Sequence, residues 1–208
     1  MKTTTIRSLI RKNILDLKPY ASARDEFQGA AEIFLDANEN PYPSPYNRYP
    51  DPLQRKVKEK LGALKGLRPS SIFLGNGSDE AIDLLIRAFC EPGRDSILIT
   101  DPTYGMYAVC AGVNAVNVKK IRLTDSFDLD ISAASAAIDR STKIIFLCSP
   151  NNPTGNLLDR EKILHIIRSF QGLVVIDEAY IDFTQAGSFC DDLDLYPNLL
   201  VLQTFSKA

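Results

Sequence analysis

The sequence predicts an α/β protein, a three-layer α/β/α sandwich around a mostly parallel mixed sheet. Three observations carry that expectation. Short apolar runs, continuous rather than alternating, recur along the chain as strands buried on both faces do. Segments with helical apolar spacing separate them, so strand and helix alternate from Leu53 to the end. Clusters of glycine, proline, asparagine and acid follow the strands, where sheets of this kind bind ligands.

The elements follow in order. Met1–Asn13 can form a short amphipathic helix, ended at Lys18-Pro19-Tyr20, and Ile33–Leu35 is a short strand-like run. Five prolines fall between Pro41 and Pro52 and mark an extended surface loop. Leu53, Val57, Leu61 and Leu64 have helical spacing. A strand is expected at Ile72–Leu74 and a helix over Asp79–Cys90. Next come a strand at Ser96–Thr100, a helix at Tyr104–Ala111 and a strand at Ala115–Ile121. A helix at Ile131–Ile138 precedes a strand at Lys143–Cys148; a helix at Asp159–Phe170 precedes strands at Leu173–Ile176 and Leu199–Gln203. No internal repeat or low-complexity segment interrupts this pattern.

Composition narrows the function classes. The 208 residues are 45% apolar and 24% charged, which suits one packed domain with an appendage. The net charge of −2, without long runs of one sign, argues against nonspecific nucleic-acid or membrane binding. Cys90, Cys110, Cys148 and Cys190 form no C-x-x-C pair, and His165 is the one histidine, so a metal site is not expected. Cys90 and Cys148 lie in apolar runs and read as buried, reduced thiols of a cytoplasmic protein. The N-terminus lacks the apolar run of a signal peptide. His165, inside an apolar helix, reads as structural or partly exposed and not catalytic; Arg55, Lys56, Lys58 and Lys60 read as a solvated helix face.

Four polar clusters invite chemistry, each with a plain structural alternative. Gly75-Asn76-Gly77-Ser78-Asp79-Glu80 opens a helix, whose free N–H groups suit a phosphate, or Ser78 or Asp79 simply caps it. Ser149-Pro150-Asn151-Asn152-Pro153-Thr154-Gly155 is a rigid turn that can hold Asn152 against a ligand, or only a stiff connection. Asp177, ending a buried strand, requires a partner, and a cationic ring nitrogen would serve, with Tyr180 on the same side; the alternative is a helix cap with a half-buried tyrosine. Lys207, just past the last strand, can be desolvated as an imine-forming lysine must be, or it is a surface lysine.

The order and spacing of Gly77-Ser78-Asp79, Tyr104, Asn152-Pro153-Thr154-Gly155, Asp177-x-x-Tyr180 and Ser206-Lys207 resemble the fold-type I pyridoxal-phosphate aminotransferases. Within them, Lys18-Pro19-Tyr20, Leu35-Asp36-Ala37-Asn38-Glu39-Asn40-Pro41, Asn47-Arg48-Tyr49-Pro50 and Asp101–Tyr107 resemble the histidinol-phosphate aminotransferases. The resemblance runs from about Leu17 to Ala208. It implies that Lys207 carries pyridoxal 5'-phosphate and then moves the proton between substrate Cα and cofactor. Asp177 would pair with the pyridinium nitrogen, Tyr180 and Asn152 would bond the phenolic oxygen, and Tyr104 would stack on the ring. Gly77, Ser78, Asp79, Thr204 and Ser206 would surround the phosphate. Tyr49 would reach the phosphate in the neighbouring subunit of a homodimer, and Tyr20, Asn40 and Asn152 would meet substrate. The implied substrates are histidinol phosphate and imidazole-acetol phosphate, with glutamate and 2-oxoglutarate.

In that family the chain continues well past the lysine, with a phosphate-binding arginine, the rest of the large domain and a C-terminal small domain. The resemblance therefore implies an arm at residues 1–50, an incomplete cofactor domain at 51–208 and no small domain. The 208 residues alone are expected to be poorly stable and inactive. Two other readings compete: a relative acting on another phosphorylated amino acid, such as threonine-phosphate decarboxylase, or an aromatic aminotransferase; and a cofactor-free α/β binding module. The module makes no demand on Lys207, Asp177 and Tyr180 together.

Overall fold

The structure, a computed structural model, describes residues 5–20, 27, 33, 35 and 37–207. It divides into two compact units, Met1–Leu15 with Gly75–Ala208, and Asp16–Leu74.

The larger unit begins with two short helices, α1 (Ile6–Leu9) and α2 (Lys12–Leu15), in place of the one expected. Met1–Thr4 lie outside the described residues. After residue 75 come α4 (Gly77–Phe89), β1 (Ser96–Asp101), α5 (Met106–Val113), β2 (Asn117–Arg122) and α6 (Ile131–Ala137). Then follow β3 (Thr142–Cys148), α7 (Arg160–Ser169), β4 (Leu173–Asp177) and β5 (Leu199–Leu202). Asp130 and Asp159 cap α6 and α7 by accepting the Ala133 and Lys162 N–H groups at 2.9 and 3.0 Å.

The five strands pair in the order β2-β1-β3-β4-β5, every pair parallel. Alternate strand residues feed two cores. Ile97, Ile99, Ile144, Phe146 and Val175 pack with Ile82, Ile86, Tyr107 and Ala111 of α4 and α5. Leu98, Ile145, Leu147, Val174 and Ile176 pack with Ala134, Ile163, Ile166 and Ile167 of α6 and α7. This is the three-layer sandwich expected. Its handedness follows from connectivity: β1 to β2 steps one way and β2 to β3 the other, so right-handed crossovers put α5 and α6 on opposite faces. The reversal leaves a switch point between β1 and β3, where a ligand crevice opens at the carboxyl ends.

Register aligns those ends. Cys148 lies opposite Asp177, and Asp177 opposite Leu202. The Ser149 N–H donates to the Asp177 carbonyl at 2.9 Å and the Glu178 N–H to the Leu202 carbonyl at 2.8 Å. The loops after β3, β4 and β5 therefore leave the sheet side by side. Gly172, entering β4, tolerates no side chain: a Cβ there would lie 2.4 Å from the Lys143 carbonyl oxygen.

The smaller unit contains α3 (Arg55–Lys65), ended by Gly66 in the left-handed region at φ +67°, and a 3-10 turn at Pro69–Ser71. The proline-rich loop has no regular structure, and most of it is exposed. The strand expected at Ile72–Leu74 is absent. Phe73 is 59% exposed, and three apolar residues in a row carry no information about whether a partner strand lies beside them. The run at 33–35 falls partly outside the described residues, at Phe34.

Candidate active site

Ten of the predicted residues, from five separated segments, line one open cavity of about 170 Å³ in the larger unit. They are Gly77, Ser78, Asp79, Tyr104, Asn152, Asp177, Tyr180, Thr204, Ser206 and Lys207, joined by Cys148 and Ala179. Tyr20, Asn40 and Tyr49 belong to the smaller unit. There Glu39 takes the Arg48 guanidinium at 2.9 Å and the Tyr49 N–H at 2.8 Å, while Tyr20 and Tyr49 expose their rings.

The start of α4 forms one wall. Gly77 takes φ +75°, a conformation that glycine adopts at little cost, and it turns the chain into the helix. Neither Ser78 nor Asp79 caps it. The N-cap is Asn76, which makes no side-chain cap bond; its N–H donates to Glu80 Oε2 at 2.5 Å. The Gly77 N–H donates to the Gly75 carbonyl at 3.0 Å, and the first-turn N–H groups after it carry a partial positive charge suited to an anion. The Asp79 carboxylate is engaged elsewhere, accepting the Tyr104 hydroxyl at 3.1 Å. Burial, and then this bond, push the Tyr104 phenol up to about 12, so it stays protonated at neutral pH. Tyr104 precedes α5 rather than lying within it, because that helix starts at Met106.

Asp177 lies at the cavity floor, 1% exposed. Among the described residues no cation lies within ion-pair reach. The carboxylate accepts the Tyr107 hydroxyl at 2.6 Å and the Ala179 N–H at 3.1 Å. Burial raises its pKa, those two donors pull it back, and the Asp79 charge raises it further. A buried carboxylate with acceptor capacity left, beside a cavity, suits a cationic N–H donor. Cys148 beside it is a neutral thiol, pushed up to about 11 by burial and by the Asp177 charge.

The two asparagines after β3 divide the work. Asn151, 2% exposed, knits the loops: its Nδ2 donates to the Pro102 carbonyl at 3.1 Å and to Thr154 Oγ1 at 2.7 Å, and its Oδ1 accepts the Thr103 hydroxyl at 3.1 Å. Asn152, before a cis Pro153, faces the cavity. Beyond β5 the Thr204 hydroxyl donates to Ser206 Oγ at 3.0 Å, and the Ser206 N–H to Thr204 Oγ1 at 3.1 Å. The Lys207 ammonium lies 5.8 Å from the Tyr180 ring centroid. Lys207 is exposed, without the desolvation expected of it.

Glu178 was not expected to matter. It is 1% exposed, and it accepts the Ser188 hydroxyl at 2.6 Å, the Phe189 N–H at 2.7 Å and the Gln203 amide at 2.8 Å. It thereby ties the segment after β4 to the strand exit that leads to Lys207. Glu178→Ala in the full-length protein should cost on the order of 3 kcal/mol, because three donors lose their acceptor. Urea denaturation measures it, and an unchanged midpoint would remove this role. His165 is exposed on α7, and Cys90 and Cys148 are buried, as read from sequence.

Residues 22–208 match the family Aminotransferase class I and II. The histidinol-phosphate aminotransferase of Parabacteroides distasonis is 61% identical over 203 residues, 98% of this chain and 59% of that protein. The chain thus spans about three fifths of the length of the curated relatives it matches. The solved histidinol-phosphate aminotransferase of Clostridium acetobutylicum has a TM-score of 0.65 at 27% identity, over 75% of this chain and 47% of that one. That of Sinorhizobium meliloti, in complex with pyridoxal-5'-phosphate, shares the fold with a TM-score of 0.68 at 23% identity, over 77% of this chain and 44% of that one.

Proposed function

This chain belongs to the class I and II aminotransferase family, and we propose that the protein containing it transfers an amino group between L-histidinol phosphate and 2-oxoglutarate, using pyridoxal 5'-phosphate. The observation that carries this reading is the convergence of ten predicted residues on one cavity. Identity with the histidinol-phosphate aminotransferases supports the choice of substrate.

The donor set fits the cofactor. Asp177 offers a buried anion with no cationic partner among the described residues, suited to a protonated pyridine nitrogen. The α4 N-terminus, Thr204 and Ser206 offer N–H and hydroxyl donors to a phosphate. Lys207 is the one amine among the described residues lining the cavity. Bound pyridoxal phosphate supplies a carbonyl that can carry the amino group and a ring that withdraws electrons.

The protein's residues then divide the remaining work. Lys207 would hold the cofactor and, once released, would take the proton from substrate Cα. Asp177 would pair with the ring nitrogen. Asn152 and Tyr180 would donate to the phenolic oxygen, and Tyr104, fixed through Asp79, would cover a ring face. Tyr20 and Asn40 would contact substrate, and Tyr49 would reach the phosphate in a second subunit of a homodimer. In this reading residues 1–50 would act as an arm and 51–208 as an incomplete cofactor domain, a boundary that differs from that of the compact units, which falls at Leu74–Gly75. The cysteines, none of them in a disulfide among the described residues, suit a reducing cytoplasm.

Two measurements test this reading. The full-length protein should form glutamate from histidinol phosphate and 2-oxoglutarate; carbon dioxide release from threonine phosphate without glutamate formation would contradict it. Tyr49→Phe should weaken cofactor retention roughly tenfold, the worth of one hydrogen bond to a charged group. Unchanged dissociation of pyridoxal phosphate from the dimer would remove the shared site.

A further inference from the structure

Tyr107 is buried in the core of the larger unit, 0% exposed, in a place where phenylalanine would pack as well. Its ring stacks on Phe146 at 4.9 Å and 12° between planes, and meets the Tyr104 ring edge-on at 5.6 Å. Burying a hydroxyl in such a setting is unfavourable unless it finds a partner. The partner is Asp177 Oδ2, at 2.6 Å, a short charge-assisted bond.

Both ends of that bond are rigid. Tyr107 lies in the first turn of α5, and the two aromatic contacts fix its ring. Asp177 ends β4, with its own backbone locked between β3 and β5. The Ala179 N–H holds the other carboxylate oxygen at 3.1 Å. We infer that Tyr107 is a positioning residue of the catalytic site: its hydroxyl fixes the orientation of the Asp177 carboxylate, so that the remaining lone pairs can face a cationic ring nitrogen. The inference rests on the proposed transaminase reading and names a residue of the same site that does not touch the cavity.

The surroundings explain why such a donor is needed. The titratable groups facing Asp177 are Tyr107 from α5, Cys148 from β3 and Asp79 from α4, with Tyr104, Tyr180 and Lys207 around the cavity. Of these, Cys148 is neutral and Asp79 opposes ionisation. Burial raises the carboxyl further, and the Tyr107 hydrogen bond is the largest influence that lowers it. Burial likewise holds the Tyr107 phenol far above its ordinary range, so its proton remains available as a donor.

The test is Tyr107→Phe in the full-length enzyme, which keeps the ring and removes only the oxygen. The expected result is a fall in kcat of roughly tenfold to a hundredfold, with KM within about twofold. In the cofactor-free enzyme, the Asp177 carboxyl, followed by nuclear magnetic resonance with isotope-labelled aspartate, should titrate at higher pH than in the unsubstituted protein. A purely structural role would lower the melting temperature and leave that titration in place. Unchanged kcat and unchanged titration in a folded variant would overturn the inference while the unsubstituted enzyme still transaminates. If the unsubstituted enzyme neither binds pyridoxal phosphate nor transaminates, the functional reading fails and takes the inference with it.

Discussion

Replacing Lys207 with alanine in the full-length protein is expected to abolish transamination, lowering turnover by roughly four orders of magnitude or more. The reason is local. Lys207 is the only amine among the described residues lining the cavity, so nothing nearby can anchor the cofactor covalently or take the substrate Cα proton. The side chain is exposed and outside both cores, so the variant should melt within a few degrees of the parent. Borohydride reduction gives the matching readout. Pyridoxal phosphate should become fixed to the peptide containing Lys207 in the parent and to no peptide in Lys207→Ala. Residual turnover within tenfold of the parent, or cofactor fixed elsewhere, would mean that another group performs this step.

The second large effect is expected at Asp177, and it has two opposite signs. Asp177→Asn should lower kcat/KM by roughly a hundredfold or more, the scale seen when a preorganised charge partner is removed from a reacting centre. The same change should leave the cofactor-free protein as stable or more stable at neutral pH. Burial raises the folded-state pKa of Asp177 above its ordinary value. Its favourable contribution to folding is therefore fully present below the unfolded-state pKa, and it is lost as pH rises through the raised one. Ionising this carboxyl is costly where it is buried with no cation beside it among the described residues, and asparagine removes that cost. Geometry permits the exchange. Asparagine Oδ1 can keep the Ala179 N–H, and its amide can donate to the Tyr107 oxygen once that hydroxyl turns. Cofactor added to the parent should cancel the difference in melting temperature. Equal activity of the two proteins would contradict the ion pair; a large loss of stability in the cofactor-free variant would contradict the electrostatic account of the site.

These effects concern residues that the sequence displays openly, and the reason is physical. Glycines, prolines, asparagines and acids collected after apolar strands are conspicuous because a parallel sheet buries everything else, and the carboxyl ends of adjacent strands meet in space. That is how Asn152, Asp177 and Lys207, far apart in the chain, come to one cavity, which Gly77 joins through the start of α4. The sandwich was legible for the same reason: Leu98, Ile145 and Val174 face one helix layer and Ile97, Ile144 and Val175 the other, as continuous apolar strands require.

What stayed hidden was the support behind the site. Tyr107 looks like one more apolar residue of α5, and only packing brings its hydroxyl to Asp177. Asn151 and Asn152 are indistinguishable by type, and only packing sends one into the loop scaffold and the other to the cavity. Glu178 gains its role only when three donors, two of them from Ser188 and Phe189 some ten residues on, are brought to it. Ile72–Leu74 failed as a strand because pairing is a property of the partner, which a three-residue run does not encode.

The proposed activity requires one cavity to hold pyridoxal phosphate through Lys207 and to pass on an amino group from histidinol phosphate, and the absorption spectrum of the full-length protein reads both. Adding pyridoxal phosphate should produce the visible band of a lysine-bound cofactor, and adding histidinol phosphate should replace it with the ultraviolet band of the aminated cofactor, restored by 2-oxoglutarate. A folded protein that develops no visible band, or whose band ignores histidinol phosphate, would contradict the account.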